Sequence, residues 1–277
     1  MNIGIIGLGL IGGTYAKSLR NYPYKLFGVD INEETLVYAK ENNIVDVTTN
    51  NPLDVIKELD VVFVCLYPAD TIKFINKYAT HFKRGAVISD VSGIKRKLVN
   101  SLDYYKDESF EIVLAHPIAG RESKGIKFSD KAIFHDSNFV ITPMNHNTEE
   151  AINLIKTLAL QMGFKNVTIL SDVQHDEIIA FTSQLTHVIA LSLINSDQKK
   201  YDTSLFIGDS YKDLTRIAKI NKELWTELLF SNKDFLMNQI TNFEDQLDMF
   251  KTILKEKDTE KMYEFMELAA LRRGLIE

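Results

Sequence analysis

The sequence contains one cysteine, Cys65, in 277 residues. An intramolecular disulfide and a thiolate zinc cage are thereby excluded, and this usage fits a reducing cytoplasm. A basic excess is also missing. The net charge is −6 and the pI is near 5.6, which argues against nucleic acid or an anionic membrane surface as the main partner. An anionic ligand must then be caught by a local cluster of positive charge. The apolar start MNIGIIGLGLIGG carries no basic region and is broken by glycines, so it reads neither as a signal peptide nor as a membrane span. Internal repeats and low-complexity tracts are absent.

What is there is ordinary globular material, 45% hydrophobic and 25% charged, in a chain long enough to bury a full core. Up to about residue 171, short β-branched runs alternate with helical stretches. Strands are expected at Asn2–Ile6, Lys25–Val29, Val61–Cys65, Ala86–Asp90, Glu111–Ala115, Phe139–Thr142 and Val167–Leu170. Helices are expected at Gly13–Asn21, Glu33–Glu41, Leu53–Glu58 and Thr148–Met162. Several strands are apolar almost throughout, as parallel strands covered on both faces are. The alternation implies right-handed βαβ units and a doubly wound α/β sheet. After Ser171 the strands stop. Asp172 is placed to cap a helix running on through DEIIAFTSQLTHVIALSLINS, with further helices to the end. Leu236, Ile240, Phe243, Leu247, Phe250 and Leu254 recur at alternating spacings of four and three. Such a seam packs on its own domain or meets a second subunit, and both readings stay open. The expected division is 1–171 and 172–277.

Gly7-Leu8-Gly9-Leu10-Ile11-Gly12 follows the first strand directly and opens a helix, the setting that gives a GxGxxG run its meaning. The first glycine permits the tight turn, the second lets a pyrophosphate approach the backbone, and the third allows close helix–strand packing. Exposed N–H groups at Leu10 and Ile11 and the helix dipole supply a positive field. Asp30, eighteen residues beyond Gly12, is placed to bind the ribose hydroxyls. Its charge would repel a 2′-phosphate and no basic residue follows in Asp30-Ile31-Asn32, so the cofactor expected is NAD.

Ligands of open α/β sheets sit outside the carboxyl ends of the strands. The segments leaving those ends are VCLYPAD (64–70), SDVSGIK (89–95) and LAHPIAGRES (114–123). His116 follows the fifth run, near the expected nicotinamide end, where a histidine can accept a proton from a hydroxyl whose carbon loses hydride. A plain His-Pro turn is the alternative. His81, His135, His146 and His175 have loop-like or polar surroundings and are assigned no catalytic role. Ser183, Gln184 and His187 share one helix face. Arg216, three beyond Asp213, is either half of a surface ion pair or a fork for a carboxylate.

The run GLGLIGG, then DVSGIK, HPIAGRES, SQLTH and YKDLTRIAKINKELW, in that order over nearly the whole length, resembles the prephenate and arogenate dehydrogenases, the TyrA family. The resemblance implies a Rossmann domain followed by an all-helical dimerisation domain, with NAD-dependent oxidative decarboxylation of prephenate to 4-hydroxyphenylpyruvate in tyrosine biosynthesis. It further implies a cytoplasmic homodimer that binds a small-molecule substrate. By the same resemblance, His116 takes the proton of the substrate's ring hydroxyl and Arg216 holds a substrate carboxylate. Glu122 stands at the mouth of the site, His187 matches the second histidine of the family's S-H-L-P-H stretch, and Trp225 lies near the substrate.

The sequence departs from the family at several points. Gly93 stands where the family usually has a serine, with Ser92 one residue earlier and expected to serve in its place. Gln184 and Thr186 replace the first histidine and the proline of S-H-L-P-H, and Asp209 stands where a glycine is often found. Gln184 cannot become a cation, which opens L-arogenate as an alternative substrate. A β-hydroxyacid dehydrogenase shares the architecture but uses a lysine on the first helix of the second domain, where this sequence has none before Lys199. A non-catalytic NAD sensor would need no His116 paired with Arg216. The end at Glu277 is expected to leave no room for a fused mutase or regulatory domain, so any feedback by tyrosine would act at the active site or the dimer interface.

Overall fold

The structure, a computed structural model, describes residues 1–121 and 123–276. It divides into two compact units, Met1–Asn232 and Lys233–Glu277. In the first unit the elements run β1 (Asn2–Ile6), α1 (Leu10–Leu19), β2 (Lys25–Val29), α2 (Glu33–Glu41), β3 (Val47–Thr49), β4 (Val61–Val64), α3 (Pro68–Tyr78), β5 (Val87–Asp90), α4 (Arg96–Leu102) and β6 (Glu111–Ile112). They continue through β7 (Leu114–Ile118), β8 (Asn138–Thr142), α5 (Glu149–Gln161), β9 (Asn166–Ile169), α6 (Asp172–Ile179), α7 (Thr186–Asn195), α8 (Asp209–Thr215) and α9 (Lys222–Ser231). The second unit is α10 (Lys233–Glu256) and α11 (Thr259–Gly274).

β3-β2-β1-β4-β5-β6 form a parallel sheet whose order reverses between β1 and β4, the doubly wound arrangement expected. Side chains alternate between its faces. Ile3, Ile5, Val61 and Phe63 meet Tyr15 and Leu19 of α1 and Ile155 of α5, while Ile6, Val62 and Val64 meet Phe74 of α3 and Leu98 of α4. Burial on both faces is why these strands are apolar almost throughout.

The run Glu111–Ala115, expected as one strand, is two. β6 pairs with β5, whereas β7 pairs antiparallel with β8, and β8 pairs parallel with β9, in a separate three-stranded sheet. His116 lies opposite Val140 and Pro117 opposite Phe139. His-Pro is thus part of an edge strand, where a proline without N–H is tolerated.

Other boundaries moved for local reasons. α1 begins at Leu10, because Gly12 and Gly13 lie inside the helix. Leu53–Glu58 is two 3₁₀ turns, Pro52–Asp54 and Ile56–Glu58. β3, α3 and α4 were not expected; α3 opens on Pro68, whose missing N–H costs nothing in a first turn. Ser171, rather than Asp172, caps α6 in a reciprocal box with Gln174. α6 passes through a wider π turn, Ala180–Leu185, into α7. The stretch Asp172–Asn195 is the one helix, among the described residues, long and apolar enough to cross a membrane.

Candidate active site

Three loops line the carboxyl edge of the parallel sheet. At the first, Gly7 has φ +88°, a conformation that residues with a Cβ rarely adopt. A Cβ on Gly12 would stand 1.9 Å from the Gly7 carbonyl oxygen, so α1 can enter this turn only with glycine there. A Cβ on Gly9 would meet nothing within 4 Å, and its backbone faces open space. Gly9 is also the N-cap of α1 without a side-chain cap, so the first-turn amides lack intrahelical partners. Asp30 accepts the Leu8 N–H at 2.7 Å and the Asn32 N–H at 2.9 Å, which ties the end of β2 to the glycine turn. An open glycine, uncapped amides and an adjacent carboxylate fit a dinucleotide.

The second loop follows β4. Partly buried Cys65 lies against the glycine turn, with its Cβ 3.2 Å from where a Gly12 Cβ would be. Burial and the nearby Asp90 push its thiol up, so it stays protonated.

The third loop, after β5, lies two strand spacings from β1, about 10 Å along the edge. Asp90 and Lys95 are fully buried there and form an ion pair of 2.8 Å. Asp90 also accepts the N–H groups of Ser92 at 2.8 Å and Ala115 at 2.9 Å, and Lys95 donates to the Ala115 carbonyl. Both backbone groups of the residue preceding His116 are therefore held by side chains, which fixes the histidine in the middle of β7. His116 Nδ1 lies 3.0 Å from His175 Nε2, and His175 Nδ1 lies 2.8 Å from the Asp176 carboxylate. That carboxylate accepts the Lys95 and Arg96 N–H groups at 2.7 and 2.9 Å. Burial, with His175 and Lys95 adding to it, holds His116 well below the usual histidine value. Burial also lowers His175, against its bond to Asp176, and Lys95, against its pairing with Asp90.

The other expected site residues separate into two groups. His187 and Trp225 come together, with ring centroids 3.7 Å apart, and His187 Nδ1 lies 2.9 Å from the Ser183 carbonyl. Arg216 is exposed at the end of α8. Ser92 and Gln184 are placed otherwise than expected. Ser92 Oγ is buried and makes no hydrogen bond among the described residues. It is Gly93 that faces the His116 ring, since a Cβ there would lie 3.6 Å from both Cε1 and Nε2. Gln184 is 1% exposed, accepts from Asn232 at 2.9 Å and donates to the Leu228 carbonyl at 3.3 Å. Its amide is held at both ends by the protein. Glu122 lies outside the described residues. His175 is a correction in the other direction: it is fully buried against His116. Its signal in the sequence was the adjacent Asp176, in the first helix after the last strand.

A sheet whose order reverses beside an open glycine turn, with a partly buried imidazole held against the loop after β5, is the arrangement of a nucleotide-dependent oxidoreductase. Residues 15–168 match the family model "Prephenate dehydrogenase, nucleotide-binding domain", and residues 171–268 match "Prephenate dehydrogenase, dimerization domain". The chain belongs to the prephenate dehydrogenase family. It is 25% identical over 272 residues to a prephenate dehydrogenase of Bacillus subtilis, covering 96% of this chain and 73% of that one. It is 28% identical over 283 residues to a cyclohexadienyl dehydrogenase of Zymomonas mobilis, covering 99% and 96%. The fold matches the prephenate dehydrogenase of A. aeolicus, solved in complex with hydroxyphenyl propionate and NAD+, with a TM-score of 0.90 at 27% identity over 100% of this chain and 98% of that one.

Proposed function

We propose that this protein is a cytoplasmic, homodimeric prephenate dehydrogenase that converts prephenate and NAD to 4-hydroxyphenylpyruvate in tyrosine biosynthesis. Residues 1–171 carry the cofactor and residues 172–277 supply the substrate wall and the dimer contact. The observation that supports this best is His116, whose Nδ1 is engaged by His175 and whose Nε2 side faces the open backbone of Gly93. NAD, when bound at the glycine turn, supplies the hydride acceptor. His116 Nε2 draws the proton from the ring hydroxyl as its carbon becomes a carbonyl. The ring carboxylate then leaves as carbon dioxide, its electrons make the ring aromatic, and the same proton returns to the phenolic oxygen. Low basicity suits a base that must give its proton back.

Arg216 holds a substrate carboxylate through its guanidinium fork. His187, packed ring to ring against Trp225, forms the facing wall. Gln184 supports that wall from behind through Asn232. Its missing charge was the reason to consider L-arogenate, and its burial weakens that reason. The test is absorbance at the NADH band with prephenate and L-arogenate, each with NAD and with NADP. Turnover of prephenate with NAD is expected. Preference for L-arogenate would reassign the substrate, and no turnover of either would sink the proposal.

A further inference from the structure

We infer that His175, oriented by Asp176, is a positioning residue that sets the tautomer of His116 and so makes Nε2 the proton-accepting atom. This rests on the proposed role of His116 as the base.

The argument follows protons from the carboxylate outward. Asp176 is 1% exposed and accepts from the Lys95 N–H, the Arg96 N–H and, at 3.4 Å, the Arg96 Nε–H. A carboxylate whose oxygens already take three N–H donors meets His175 as an acceptor. His175 Nδ1, 2.8 Å from it, must therefore carry a hydrogen. His175 is fully buried, and burial and Lys95 disfavour its cation, so its Nε2 is bare and must accept. The atom 3.0 Å from that Nε2 is His116 Nδ1, which is left as the donor. With its hydrogen on Nδ1, neutral His116 has its lone pair on Nε2, on the side of Gly93.

The charged and titratable groups facing His116 are His175 from α6 and Lys95 from the loop before α4, with Asp176 and Asp90 behind them. None of them offers Nδ1 a competing acceptor. Free imidazole does not hold this tautomer by itself, so a second buried histidine is needed to impose it. The arrangement also explains why α4 begins where it does. The carboxylate that orients His175 is the same one that caps the Lys95 and Arg96 amides, so helix position and imidazole orientation are set by one group.

Long-range ¹H–¹⁵N correlation on ¹⁵N-histidine-labelled protein tests this, with His116 assigned by comparison with the His116→Asn spectrum. At about pH 8, where both imidazoles are neutral, His116 is expected to be protonated on Nδ1 with a bare Nε2. A wild-type His116 protonated on Nε2 would overturn the inference whether or not prephenate turns over, so it fails separately from the functional proposal. For activity, His175→Leu should lower kcat by about 100-fold, the scale of a lost general base, with KM for prephenate and NAD within about threefold. His175→Gln, whose amide oxygen can still accept from Nδ1, should stay within about tenfold of wild type. Wild-type kcat in a folded His175→Leu variant would also overturn it.

Discussion

His116 and His175 are a pair of imidazoles kept neutral by burial, and this has a consequence at the scale of single residues. Histidines in the unfolded chain take up protons near pH 6.5, whereas the folded pair resists protonation. Between those limits the unfolded state binds more protons, so stability rises with pH. The contribution is fully present above about pH 6.5 and is lost as pH falls through the folded values. Urea melts at about pH 8 and about pH 5.5 should show the loss, and His116→Asn should reduce it. An identical pH effect in that variant would show that the acid sensitivity comes from other groups. Residue by residue, His116 could be picked out because HPIAGRE is distinctive, although the structure puts its His-Pro inside β7. His175 could not, because Asp176, one turn into α6, reads as ordinary helix polarity. Its burial comes from contact with Lys95 and Arg96, about eighty residues away in sequence.

At the scale of elements, the junction between the two sheets depends on Asp90 and Lys95. β6 follows β5 for two residues, and the Val113 N–H still reaches the Ile88 carbonyl at 2.9 Å. The next backbone partner Ala115 finds is the Asp90 carboxylate, with Lys95 on its carbonyl. Side chains thus take over where the ladder stops, which lets the strand pass from one sheet to the other. Lys95→Met should leave the Asp90 charge buried with only amide donors and lower unfolding stability by about 3–5 kcal/mol. A loss below about 1 kcal/mol in denaturant titration would show that the junction holds without the pair. Elements closed by local chemistry were legible: β1, β2 and α2 have the bounds expected, and α5 starts on its own Thr148 cap. α4 was not, because its cap is the Asp176 carboxylate of a distant helix and nothing near Arg96 announces it.

At the scale of the whole molecule, apolar surface points to assembly. In the first unit Leu205 is 75% exposed, Phe206 78% and Phe230 76%, and these residues lie within the span matching the family's dimerization domain. In the second unit α10 carries the regular seam read from the sequence, with Leu247 and Leu254 half exposed. The apolar helix Asp172–Asn195 holds the His175 and Asp176 contacts to Lys95 and His116 on one side and exposes Ile178 and Phe181 on another. In the proposed dimer a second copy would cover such surface, since patches this apolar are seldom left bare. Sedimentation equilibrium should give twice the chain mass of 31.6 kDa, and the melting temperature should rise with protein concentration. Phe206→Asp with Phe230→Asp should shift the mass toward that of one chain, because a buried unpaired carboxylate opposes association. A wild-type protein of single-chain mass would overturn the dimer, and an unchanged dimer in the double variant would move the interface off this surface.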